Sequence, residues 1–169
     1  MISKNRLKSG IIVLLGLVIL IPVAQAQQPF DITDYFYATA TFLSSDPELT
    51  VFHSDVKGVI HDNGERKIFD RMISHCLRSV KISTDKMIGV TYSKFTDSDG
   101  DFFITETSVE GIPMSEGTFK FLQGTGKWKG ISGGGKAKFI FMTRGKQQIN
   151  PSTFQGYLRM IGTFELPKK

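Results

Sequence analysis

The chain has 169 residues, with 21 basic and 16 acidic side chains, a formal net charge of +5 at pH 7, fourteen Phe, one Trp and one Cys. Lys4, Arg6 and Lys8 fall in the first 26 positions, which hold no acid, so the rest carries eighteen basic against sixteen acidic residues, a net of +2. That balance argues against a nucleic-acid-binding module, which needs a basic patch persisting in the mature protein, and the lone Cys76 excludes an internal disulfide.

The first predicted element is a signal peptide over 1–26. A positive stretch precedes an apolar run at 11–23, and Ala24-Gln25-Ala26 is the small-x-small pattern of a cleavage site. The apolar run falls short of the ~20 residues of a spanning helix and contains Pro22, so no stable membrane span is expected after cleavage. The expected location is periplasmic or secreted. Residues 27–34 are expected to form a flexible lead-in and 35–169 a single β-barrel domain, a size that suits one core.

From Tyr35 onward the dominant period is two, broken by turn residues, which predicts an all-β fold. Strands are expected over 35–43, 51–60, 67–82, 87–95, 102–107, 118–122, 136–143 and 154–166, with Asn63-Gly64 as a tight hairpin turn. In the first, Phe36, Ala38, Ala40 and Phe42 oppose Tyr35, Tyr37, Thr39 and Thr41; in the fourth, Ile88, Val90 and Tyr92 oppose Gly89, Thr91 and Ser93. About eight sequential antiparallel strands suit a sandwich or a barrel. The glycine density after Gly111 favours the barrel, whose sharply bent strands need positions without a Cβ.

Three motifs invite chemistry. Gly130 to Lys136 fits G-x-x-x-x-G-K, but Ala137 stands where a phosphate loop needs a hydroxyl, and the following Lys-Phe-Ile-Phe alternation reads as a strand and not a helix. Gly124, Gly126 and Gly130 miss the dinucleotide spacing as well. The expectation is a Gly-bracketed turn carrying Trp128, with no cofactor. Asp97, Asp99 and Asp101 are weak calcium candidates, although Phe102 and Ser108 occupy the places where an EF-hand needs Gly and Glu; the simpler expectation is a hairpin tip at Asp99-Gly100. His53, His61, His75 and Cys76 show no zinc spacing, and His75 and Cys76 project from opposite faces of a strand. Glu106, His75 and Tyr92, with Asp70, are the acid–base candidates should they point into a cavity.

The order of Lys67-Ile-Phe-Asp-Arg-Met-Ile-Ser-His-Cys76, Phe95-Thr-Asp-Ser-Asp-Gly-Asp-Phe-Phe-Ile104, Gly117-Thr-Phe-Lys-Phe121 and Gly124-Thr-Gly-Lys-Trp-Lys-Gly-Ile131 resembles secreted bacterial proteins of uncharacterised function with an allene oxide cyclase-like barrel. That superfamily includes the plant dirigent proteins. The resemblance implies a small antiparallel barrel of about eight strands, often assembled as a trimer or other homo-oligomer. The plant cyclase isomerises a fatty-acid epoxide and dirigent proteins steer radical coupling, but neither set of pocket residues maps onto this chain.

The leading expectation is therefore an exported, non-enzymatic barrel that binds a small apolar ligand or an envelope partner. The alternatives are a cyclase or isomerase using Glu106 or His75 as a buried ionisable group, and a structural oligomeric envelope protein.

Overall fold

The structure, a computed structural model, describes residues 27–111, 116–142 and 152–167. The expected signal peptide and its cleavage site lie outside the described residues.

Strands β1 (Gln28–Ser45), β2 (Leu49–Asp62), β3 (Ile73–Ser83), β4 (Met87–Thr96), β5 (Phe102–Glu110), β6 (Glu116–Gly124), β7 (Ser132–Phe141) and β8 (Thr153–Glu165) follow one another round a closed antiparallel barrel. The eighteen-residue β1 closes it: Tyr35 pairs with Val59 of β2 on one side and Tyr157 of β8 on the other. Closure leaves no unpaired sheet edge. The expected all-β barrel is thus the fold. Near the seam between β7 and β8, Gly135 and Gly162 face each other; a Cβ on either would lie 2.1 Å from a carbonyl oxygen of the opposite strand.

Two local expectations need correction. Residues 28–34 are not a lead-in but the first part of β1, where Phe30 and Ile32 are buried and pair with Gly162 and Met160. The alternation was masked because Thr33 and Asp34 are buried too, so three consecutive positions point away from solvent. Nor does a strand start at residue 67 after a tight Asn-Gly hairpin. The Asp62 carboxylate accepts the backbone N–H groups of Gly64 (2.8 Å) and Phe69 (2.9 Å), folding 63–72 into an irregular connection with left-handed backbone at Lys67 and Arg71.

That connection plugs the barrel. Phe69 is 1% exposed, stacks on Trp128 at 5.2 Å and meets the rings of Phe30 and Phe164 edge-on at 4.9 and 5.2 Å. Phe95, Phe103, Phe119 and Phe121 extend this aromatic core, with Ile131 beside it. Offset and edge-to-face ring pairs of this kind add to the gain from area burial alone. The opposite end is closed more thinly: Ala40, Phe52, Val80 and Met87 form a separate buried cluster.

The stretch around Trp128 is the turn-and-strand expected of it. Gly126–Trp128 makes one 3-10 turn, and β7 follows with Ala137 and Phe139 buried while Lys136 and Lys138 face solvent.

Candidate functional site

Between the two apolar clusters the interior is polar along one wall. Side chains of alternate residues on a strand share a face, and the inward row of β3 runs Ser74, Cys76, Arg78, Val80, while Ile73, His75, Leu77 and Ser79 point out. The strand pairing continues this row: Cys76 lies opposite Ser93 and then Thr105, and Arg78 opposite Thr91 and then Thr107. Ser54 of β2 pairs with Arg78 from the other side. Every one of these side chains is buried, Arg78 at 4% exposure included. The facing wall is apolar, built from Phe119, Ala137, Phe139, Leu158 and Met160.

Asp34 enters this wall from β1. Its Oδ1 accepts the Ser74 hydroxyl at 2.8 Å, while its Oδ2 is buried with no partner in the protein. Burial pushes the Asp34 carboxyl up to about 6, against the Ser74 hydrogen bond and the Arg78 charge, both of which favour ionisation. Arg78 donates through Nε to Thr91 Oγ1 at 3.1 Å, and its guanidinium carbon lies 4.3 Å from the Phe139 ring centroid and 5.6 Å from that of Phe36. Its Nη1 has no partner, and among the described residues no carboxylate lies within ion-pair distance. Burial lowers Arg78 to about 10, so it remains a cation at neutral pH. The Cys76 thiol is pushed up to about 12 by burial and by the Asp34 charge, and stays protonated.

Ser54, Ser93, Thr105 and Thr107 likewise keep buried hydroxyl oxygens without a protein partner. With Asp34 Oδ2 and Arg78 Nη1 that makes six orphaned polar atoms on β1 to β5. Native interiors leave few such groups, and each unmade bond costs about 1–3 kcal/mol. The wall is therefore a place where a polar partner gains free energy by arriving.

None of the acid–base candidates drawn from the sequence lines this interior. His75 projects outward, its Nε2 2.8 Å from Asp55 Oδ1. Tyr92 and Glu106 sit directly opposite each other on the outer surface, where Lys120 Nζ lies 2.8 Å from Glu106 Oε1. Hydrogen bonds from Lys120 and Tyr92 hold Glu106 below the usual carboxylate range, the reverse of what a general acid needs. The buried ionisable group foreseen at Glu106 or His75 is instead Asp34, with Arg78.

The calcium candidates form the hairpin tip, and each already has at least one carboxylate oxygen engaged within the protein. Asp97 Oδ1 accepts the N–H groups of Asp99 and Asp101; Asp97 Oδ2 accepts Trp128 Nε1 at 2.8 Å. Lys127 Nζ stands 3.0 Å from Asp97 and 2.9 Å from Asp99, and Asp101 Oδ2 accepts the Lys127 N–H. The place of a cation is filled by an ammonium. Among the described residues no three His, Cys, Asp or Glu side chains are grouped to hold a metal ion.

One signal could have exposed the wall. On β3 the outward Ile73 and Leu77 are 63% and 62% exposed while Ser74 and Arg78 are buried, and β4 likewise turns Gly89, Thr91 and Ser93 inward. The usual apolar-in, polar-out pattern is inverted at these positions, while Cys76, Val80, Met87 and Phe95 of the same strands keep it.

No family model matches the chain, and no curated protein matches it. Among solved structures, the pterocarpan synthase dirigent protein GePTS1 is similar, with a TM-score of 0.53 at 12% identity, covering 85% of this chain and 93% of that one. The pterocarpan synthase dirigent protein PsPTS1 gives 0.49 at 13% identity over 84% of this chain and 97% of that one. At such identities the likeness is one of fold, and the chain is a dirigent-like eight-stranded barrel.

Proposed function

We propose that this barrel binds a small, mostly apolar molecule in its interior, with the polar end of the ligand on the wall formed by Asp34, Ser54, Arg78, Ser93, Thr105 and Thr107 and the apolar body against Phe36, Phe139 and Leu158. The observation that carries this reading is the convergence of six buried, unpartnered polar atoms on one side of an otherwise apolar barrel. Ligand sites are mostly apolar with a few well-placed polar groups, which is the division of labour here. The ligand enters when the end closed by Ala40, Phe52, Val80 and Met87 opens, because the other end is filled by Phe69, Trp128 and Ile131. The mature chain acts outside the cytoplasm in this reading, as the leader composition implies.

Thermal unfolding of the mature chain against fatty acids and aromatic metabolites tests it. A binder at 100-fold its Kd stabilises by about 2.7 kcal/mol, and Thr105→Val with Thr107→Val should change the ranking of ligands. A panel that stabilises nothing counts against the proposal.

Catalysis of the isomerase type has one observation in its favour, the Asp34 carboxyl held near neutrality inside the barrel. Recovering every bound compound unchanged after prolonged incubation would remove that reading and leave the binding one.

A further inference from the structure

Arg78 is a buried cation that no carboxylate hydrogen-bonds: the buried Asp34 feels its charge but stops short of ion-pair distance. Its Nε is used by Thr91, the rings of Phe36 and Phe139 lie against the guanidinium, and Nη1 remains open. Asp34 is the nearest acid, but it turns one oxygen to Ser74 and leaves the other unpaired, without reaching ion-pair distance of Arg78. A buried guanidinium is best satisfied by an acceptor that carries charge and meets its fork of N–H groups, as a carboxylate does.

Resting on the interior-site reading above, we infer that the ligand is a small organic monoanion, a carboxylate on an aromatic or short aliphatic body, which pairs with Arg78 and takes up a proton at Asp34. The proton follows from charge. Asp34 ionised would repel a second anion beside it, whereas Asp34 protonated offers an O–H from its unpartnered oxygen. The titratable groups facing Asp34 are Arg78 and Cys76 of β3, and the thiol stays neutral. On β2, Asp62 lies at the plugged end and is held by the N–H groups of Gly64 and Phe69. The described inward positions of β4 to β8 carry no titratable side chain: they are Met87, Gly89, Thr91, Ser93, Phe95, Phe103, Thr105, Thr107 and Val109 on β4 and β5, and apolar residues or glycine beyond.

Free Asp34 titrates at about 6, and a bound anion raises that value. Between the two values affinity falls as pH rises, by up to about tenfold per pH unit.

The test is isothermal titration of the mature chain with benzoate, 3-phenylpropionate and hexanoate against benzamide, 3-phenylpropionamide and hexanamide, at pH 6, 7 and 8. The expected result is at least one carboxylate binding about tenfold or more tightly than its amide, weakening from pH 6 to 8, with proton uptake seen as a heat that varies with the buffer. Asp34→Asn should keep carboxylate binding and lose its pH dependence; Arg78→Gln should lose the preference for the carboxylate. If Arg78→Gln does not fold, the carboxylate-to-amide ratio and the Asp34→Asn profile decide alone. Amides binding as well as carboxylates, or carboxylate binding indifferent to pH, overturns this inference and leaves the interior site standing. Binding by neither series overturns the inference, and the interior site itself falls if the wider panel also stabilises nothing.

Discussion

Asp34 on β1 hydrogen-bonds Ser74 on β3 across the width of β2, and it does so over Gly58. A Cβ at position 58 would stand 2.1 Å from Asp34 Oδ1, 2.7 Å from Ser74 Oγ and 2.7 Å from the Tyr35 carbonyl oxygen. Gly58→Ala is expected to destabilise by about 1–3 kcal/mol through overpacking, seen as a lower urea midpoint. Asp34→Ala should recover part of that loss in the double variant, since it removes the nearest clash and leaves the carbonyl. Strictly additive losses would mean that the two side chains do not compete for this space.

Asp34 should also set a pH dependence of stability with an unusual sign. Its folded value is about 6 against 3.8 in model compounds, so between these values the native state holds the proton that the unfolded state has released. Stability from this group is therefore present at low pH and lost as pH rises from about 4 to 6, with a loss of about 3 kcal/mol that persists above the folded value. Carboxylates such as Asp31 and Asp97, lowered by Arg159 and by Lys127 with Trp128, act in the opposite sense. The difference between wild type and Asp34→Asn isolates the group: the variant should gain relative stability as pH rises through this window. A constant difference would contradict the buried, raised carboxyl.

The outline of this fold was legible because most strands alternate and because turn residues separate them; Phe36, Ala38 and Ala40 bury as their pattern suggests. The site was not. Sequence periodicity gives two faces but not which one is inside, and on β3 the inner face carries Ser74 and Arg78 while Ile73 and Leu77 meet solvent. Glu106, His75 and Tyr92 fell on the wrong side for the same reason. Asp34 was hidden because the place of its carboxyl depends on a gap at Gly58, a residue 24 positions away that no local pattern connects to it.

The acidic hairpin is a clasp between the β4–β5 and β6–β7 connections. Asp97→Ala removes the acceptor of Trp128 Nε1 and one partner of Lys127, and is expected to cost about 1–3 kcal/mol by leaving the indole N–H unpaired. Because Lys127 occupies the space among the carboxylates, millimolar calcium should leave the melting temperature of the wild type unchanged. A calcium-dependent rise that Asp97→Ala abolishes would restore the cation site.

The plug makes a separate prediction from packing alone. Phe69 reaches the core from an irregular connection, not a strand, yet its ring touches those of Phe30, Phe103, Trp128 and Phe164. Phe69→Ala should cost about 3–5 kcal/mol in guanidinium unfolding, as much as a strand-borne core residue, and should red-shift the Trp128 fluorescence as its stacked face gains water. Phe69→Leu should restore most of the stability but not the stack. A loss below 1 kcal/mol for the alanine variant would place the plug outside the cooperative core.

Cys76 reports on opening of the polar wall. The residue is 2% exposed and its thiol is pushed up to about 12 by burial and the neighbouring Asp34 charge, so at pH 8 it holds almost no thiolate and the closed barrel gives reagent no path. Alkylation by iodoacetamide should therefore proceed only through opening of the barrel, with a rate that rises with urea. A ligand that fills the interior should slow it by the factor by which the bound state is favoured, whereas a ligand on the outer surface that stabilises only locally should leave the rate unchanged. Labelling in native buffer at the rate of a free thiol would show that Cys76 does not lie in a closed interior, and the site built round it would have to be redrawn.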